Sequence, residues 1–99
     1  MINHIVLFKL KDYPKEEKAQ IVEELKSLLE GLKAKIDVVK HIEVGTNYEL
    51  DAKSYDIALI SHFESLEDLD VYRVHSEHLK VVERIKETTS ERAAVDYRF

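Results

Sequence analysis

From Ile2 to Leu10 the chain is rich in β-branched and aromatic residues, with Val6 and Phe8 directed to one face and Ile5 and Leu7 to the other. That parity predicts a strand that is apolar on both sides. Pro14, acceptable where a helix begins, is followed by Glu16 and Glu17, well placed at the positive end of a helix dipole. Val22, Leu25, Leu29, Leu32 and Ile36 then recur at spacings of three and four. Ala19, Ile21 and Leu28 widen the stripe, and Glu23, Lys26, Glu30 and Lys33 fall outside it, which predicts an amphipathic helix. Gly31 costs about 1 kcal/mol relative to alanine in a helix interior, so the helix is expected to end near Lys35. A second strand is expected over Val38–Val44, followed by turn residues Gly45, Thr46 and Asn47 and a polar loop to Ser54. Tyr55–Phe63 reads as a third strand, with Ile57, Leu59 and Phe63 on one side and Ala58 and Ile60 on the other. Ser65 and Asp68 make a loose capping box before a short helix anchored by Leu66 and Leu69, with Glu67 and Asp70 adding negative charge near its start. Ser76 is expected to cap a further helix in which His78, Val81, Val82 and Ile85 share a face. Thr88–Ser90 ends it, and Ala93, Val95, Tyr97 and Phe99 alternate with Ala94, Asp96 and Arg98 in a last strand.

The order βαββααβ predicts an α+β, ferredoxin-like subunit, a four-stranded antiparallel sheet with its helices on one face. The helices of one chain cover one face only. Strands apolar on both faces would leave the other face exposed, and a homodimer packed through its sheet faces resolves this. The alternative is a monomer with a partly apolar sheet surface. Residues 1–99 read as one domain, with one proline, two glycines and no linker or repeat.

Composition removes several classes. The absence of cysteine excludes a disulfide scaffold, a thiolate metal site and a cysteine nucleophile. Fifteen Lys and Arg against twenty Asp and Glu, a net charge of −5, argue against a phosphate-backbone binder, so no nucleic-acid partner is expected. Lys9 and Lys11 interrupt the first apolar run too early for a signal peptide, and no run approaches the ~20 residues needed to span a bilayer. The expected location is cytoplasmic, with no membrane partner.

Five histidines carry the candidate chemistry. His4 shares the parity of Val6 and Phe8 and should be buried. His41 and His62, with the parities of Val39 and Ile60, read as structural. Tyr72, His75 and His78 lie at a joint between two helices, where side chains from both can converge. Tyr72 falls at the margin of its helix's buried side, with its ring packed and its hydroxyl available. Such a tyrosine and a histidine at His78 can polarise a carbonyl and move a proton. The structural alternative is a satisfied histidine and a tyrosine filling the joint. His75 and His78, three residues apart, can also be read as metal ligands, and Glu64, Glu67, Asp68 and Asp70 as a weak cation site. Zinc and iron sites usually need three or four ligands, and helix-start electrostatics explains the acidic run, so no metal is expected. Phosphate-loop, serine-elbow and paired-carboxylate glycosidase patterns are absent.

These residues together resemble the stress-responsive A/B barrel, or Dabb, domain, a branch of the dimeric α+β barrels. The resemblance begins with the run His4–Lys9 and continues through Val44, Gly45 and Asn47. It is densest from Phe63, Glu64 and Ser65 through Tyr72 to His75 and His78, and closes with Arg92, Val95, Asp96 and Tyr97. It implies a ferredoxin-like subunit that dimerises through its sheet. Similar domains include stress-associated plant proteins and a few polyketide cyclases. In the cyclase-like members a tyrosine and a histidine matching Tyr72 and His78 act in a pocket between sheet and helices, beside a histidine matching His4. The family commonly has proline between the two joint histidines, where this chain has Ser76.

The leading expectation is a homodimer that binds a small apolar or aromatic ligand in each subunit through His4, Tyr72, His75 and His78, without a cofactor. A second is a cofactor-free enzyme, a cyclase, aldolase-like protein or lyase, in which His78 takes a proton and Tyr72 binds the developing oxyanion. A third is a structural stress protein, and haem handling, known among other dimeric α+β barrels, is a fourth. A void of ~300 Å³ or more bordered by His78 and Tyr72 separates ligand or enzyme from a packed joint.

Overall fold

A computed structural model describes residues 1–50 and 53–99. The elements are β1 (Ile2–Leu10), α1 (Lys15–Glu30), α2 (Leu32–Lys35), β2 (His41–Thr46), β3 (Ile57–Phe63), α3 (Leu66–Val74), α4 (Ser76–Thr88) and β4 (Thr89–Arg98). The strands form one antiparallel sheet in the order β2-β3-β1-β4. This is the expected ferredoxin-like arrangement, with β1 and β3 in the centre.

Register sorts the side chains into two faces. Ile2, His4, Val6, Phe8 and Leu10 of β1 are buried, as are Ile57, Leu59, Ser61 and Phe63 of β3 and Val44 of β2. They meet Ile21, Val22, Leu25 and Leu29 of α1, Leu32 of α2, Leu69 and Tyr72 of α3, and Val81 and Ile85 of α4. Burying each of these large apolar side chains contributes about 1.5–3 kcal/mol before entropy is subtracted. The opposite face pairs Ile5 with Ile60 and Val95, Leu7 with Ala58 and Ala93, and Asn3 with Tyr97. In a single chain Val95, Tyr97 and Phe99 are 53%, 45% and 59% exposed, so this face is apolar and uncovered.

Several boundaries differ from expectation for local reasons. The long helix stops at Glu30, and Gly31 starts a separate turn, α2. Along α1 it is Lys18 that is buried beside the stripe, while Ala19 and Leu28 face outward. The second strand begins at His41 and takes in Gly45 and Thr46, which pair with Ala58 and Ile57; the turn chemistry starts at Asn47, whose side chain accepts from the Glu49 N–H. Within the polar loop expected up to Ser54, residues 51 and 52 lie outside the described residues. The third strand starts at Ile57; Asp56 just ahead of it is buried, and its carboxylate accepts the Leu10 N–H. Leu66 is 47% exposed, so Leu69 and Tyr72 anchor α3. His41 does not share the buried environment of Val39. Its ring lies 4.7 Å from that of His62, which is also 4.7 Å from Phe99, on the uncovered face.

Candidate functional site

The site is made by the joint between α3 and α4. Ser65 accepts from the Asp68 N–H at 3.1 Å and starts α3. At the other end His75 is extended, with φ −64° and ψ 136°, so the chain turns sharply before α4. The cap of α4 is His75 itself, through its Nδ1, which accepts from the Glu77 N–H at 3.1 Å; Ser76, expected in that role, is the first helical residue. His75, expected as a ligand contact, has its Nδ1 on the backbone and is not among the residues that line the cavity described below.

The turn places His78 beneath the end of α3. Its Nδ1–H donates to the Arg73 carbonyl at 3.0 Å, one of the C-terminal carbonyls that a helix leaves without a partner. This fixes the tautomer and leaves Nε2 as an acceptor. Burial holds the His78 imidazole below its ordinary pKa; the Arg73 carbonyl opposes that, while His4 and the charges of Arg92 and Arg73 act in the same direction as burial. His78 is therefore neutral near pH 7. His4, buried as expected, bonds through Nδ1 to Asp96 Oδ1. Asp96 also accepts from Arg73 at 2.9 Å, so one carboxylate orients the histidine and the arginine together.

A half-open cavity of about 450 Å³ lies between these groups and the sheet. Val6, Phe8 and Leu59 form its sheet side, Leu29, Val82 and Ile85 its helix side, and His4 and His78 contribute imidazoles to the wall. Arg73, Lys86 and Arg92 supply cationic groups. The void expected at the joint is one bordered by both His78 and Tyr72; this cavity has His78 on its wall, while Tyr72 fills the joint itself. Sequence reasoning missed Arg73, Lys86 and Arg92 as site residues, although Arg92 belongs to the resemblance. Lys86 was legible in principle, since His78, Val82 and Lys86 follow one another at helical intervals of four.

Tyr72 departs from expectation. It is fully buried, its ring 4.3 Å from His78, 5.0 Å from Phe63 and 6.4 Å from His4, and it lies behind the two histidines rather than on the cavity wall. Its hydroxyl, expected to stay available, is buried and has no hydrogen-bond partner among the described residues, and burial pushes its pKa up to about 12. Because a buried hydroxyl without a partner costs about 1–3 kcal/mol, Tyr72→Phe should leave stability unchanged or raise it by about 1 kcal/mol in urea unfolding. A loss greater than that would show that the hydroxyl has a partner in solution.

His75 and His78 direct their Nδ1 atoms to different backbone groups, and among the described residues no three His, Asp or Glu side chains gather as a metal set. Among the described residues no helix is long and apolar enough to cross a membrane.

Known proteins share this fold. The chain is 43% identical to a dimeric ferredoxin-like protein of unknown function from Bacteroides fragilis, with a TM-score of 0.90 over 99% of this chain and 95% of that one. Among curated proteins it is 28% identical to the stress-response A/B barrel domain-containing protein DABB1 of Arabidopsis thaliana, over 98% of this chain and 46% of the relative. It is 36% identical to a second stress-response A/B barrel domain-containing protein of the same plant, over 83% of this chain and 30% of the relative. The chain thus spans less than half the length of these curated relatives. The model of the stress responsive A/B barrel domain, Dabb, matches residues 2–99, and the chain belongs to that family.

Proposed function

We propose that this protein is a homodimer, joined through its sheet faces, in which each subunit binds a small apolar or aromatic molecule between the sheet and α4. The observation that carries the reading is the cavity of about 450 Å³, apolar on its sheet and helix sides, into which His4 and His78 project as the oriented polar groups. Its volume falls in the ordinary range for small-molecule sites, ~300–1,000 Å³. Tyr72 supports the reading from behind, fixing the His78 ring by contact. The dimer is supported by the apolar open face and by the dimeric relative from Bacteroides fragilis.

The test is a titration with 2-naphthol followed by backbone amide NMR. Saturable shifts at His78, Val82 and Phe8 are expected, and they should vanish in Val82→Trp, whose ring fills the cavity, while the variant stays folded with the same sedimentation. Binding by Val82→Trp as strong as that of the parent, or shifts confined to other surfaces, would remove the cavity as the site.

A second reading, proton transfer to His78, is favoured by one specific observation: its Nδ1–H is committed to the Arg73 carbonyl, which leaves Nε2 unprotonated. On this reading the protein accelerates deuterium uptake into the methyl group of 2-acetylnaphthalene in D₂O at neutral pD, and His78→Gln abolishes the acceleration with the dimer intact. Equal rates in parent and variant would leave His78 as a binding group alone.

A further inference from the structure

The cationic groups around the cavity are not equivalent. Arg73 is compensated, with one guanidinium nitrogen 3.1 Å from Asp70 and another 2.9 Å from Asp96. Among the described residues Lys86 and Arg92 make no ion pair and no side-chain hydrogen bond. Arg92 stands opposite Phe8 in the β1–β4 register, which puts it on the helix side of the sheet, and its charge reaches His78. Lys86 follows Val82 by one helical turn on the same wall. Glu91, the acidic residue at the cavity, stands opposite Lys9 and so belongs to the other face of the sheet. A chain with a net charge of −5 therefore keeps two uncompensated cations beside its apolar cavity.

Resting on the cavity reading above, we infer that the ligand is a small apolar acid: its body sits on Val6, Phe8 and Val82, and its anionic oxygen group, a carboxylate in the simplest case, faces Lys86 and Arg92. Charge-assisted hydrogen bonds at a site partly shielded from water are about twice as strong as neutral ones. A neutral molecule of the same shape would leave both cations unanswered.

The experiment compares 2-naphthoate with 2-naphthamide, which share one apolar body, by calorimetry at low salt. Naphthoate should bind the parent chain about 10–100-fold more tightly, the range expected for a charged hydrogen bond. In the double variant Lys86→Gln/Arg92→Gln the ratio of the two affinities should fall towards one, and 0.5 M salt should shrink it in the parent. Because a ratio is read within one preparation, partial loss of fold cannot imitate the result. Equal affinities in the parent, or a preference that survives the double substitution, overturn the acidic ligand and leave the cavity reading in place. Failure of both naphthalenes and of 2-naphthol to bind overturns the cavity reading, and this inference with it.

Discussion

Asp56→Ala is expected to lower the unfolding free energy by about 3–5 kcal/mol, the range seen when one partner of a buried ion pair is removed. Asp56 is 1% exposed just ahead of β3. One carboxylate oxygen accepts the Leu10 N–H at 2.8 Å, and the other lies 3.4 Å from the ammonium of Lys18, whose side chain is only 10% exposed. Its backbone N–H donates to the Phe8 carbonyl and its carbonyl accepts from Asn47. The residue thus joins the end of β1, the first turns of α1 and the loop before β3. Truncation leaves an ammonium without its counter-charge and a buried N–H without an acceptor. Urea unfolding at fixed protein concentration measures the loss, since a dimer's midpoint shifts with concentration. The companion variant Lys18→Met/Asp56→Asn, which removes the charge pair but keeps an acceptor for Leu10, should recover most of it. A loss below about 1 kcal/mol for Asp56→Ala would show that the pair carries little of the fold.

The fold was legible because each element repeats its signal over many positions. The two-sided apolar pattern of Ile2–Leu10 and Ile57–Phe63 specified central strands, and the three-four spacing from Val22 to Leu29 specified a helix lying across them. What escaped was fixed by single contacts made at long range. Nothing local to Lys18 or Asp56 shows that they meet inside the protein: Lys18 stands among Lys15, Glu16 and Glu17, and a lone aspartate at the start of an apolar strand does not name its partner. His75 in place of Ser76 as the cap depends on one backbone turn, and either residue has an acceptor to offer.

The site was half legible for the same reason. His78 and His4 could be placed by parity and spacing, and both line the cavity. Tyr72 could be put on α3, but whether its hydroxyl reached water depended on how deeply the joint closes over it. Arg92 becomes a cavity residue only through the register of β4 against β1, which aligns it with Phe8.

The open face of the sheet carries the other large expected effect: Ile5→Lys should convert the proposed dimer to single chains at micromolar concentration. Ile5 lies on β1 between Ile60 of β3 and Val95 of β4, at the middle of the uncovered apolar surface. In a single chain a lysine there extends into water at little cost, so the subunit should still fold. In a face-to-face dimer two such ammonium groups, one from each copy, would be buried near the two-fold axis without partners. An unpaired buried charge costs several kcal/mol, and each 1.4 kcal/mol is tenfold in affinity, so the dissociation constant should rise by at least about 10³. Lysine also brings the net charge of −5 closer to zero, which rules out a general gain in repulsion between copies as the cause. Glu83→Gln, which also shifts the net charge by +1 but on the exposed side of α4, serves as the control and should sediment as the parent does. A parent chain that sediments as a single copy at micromolar concentration, or an Ile5→Lys variant that remains fully dimeric, would mean that the apolar face is not where two copies meet.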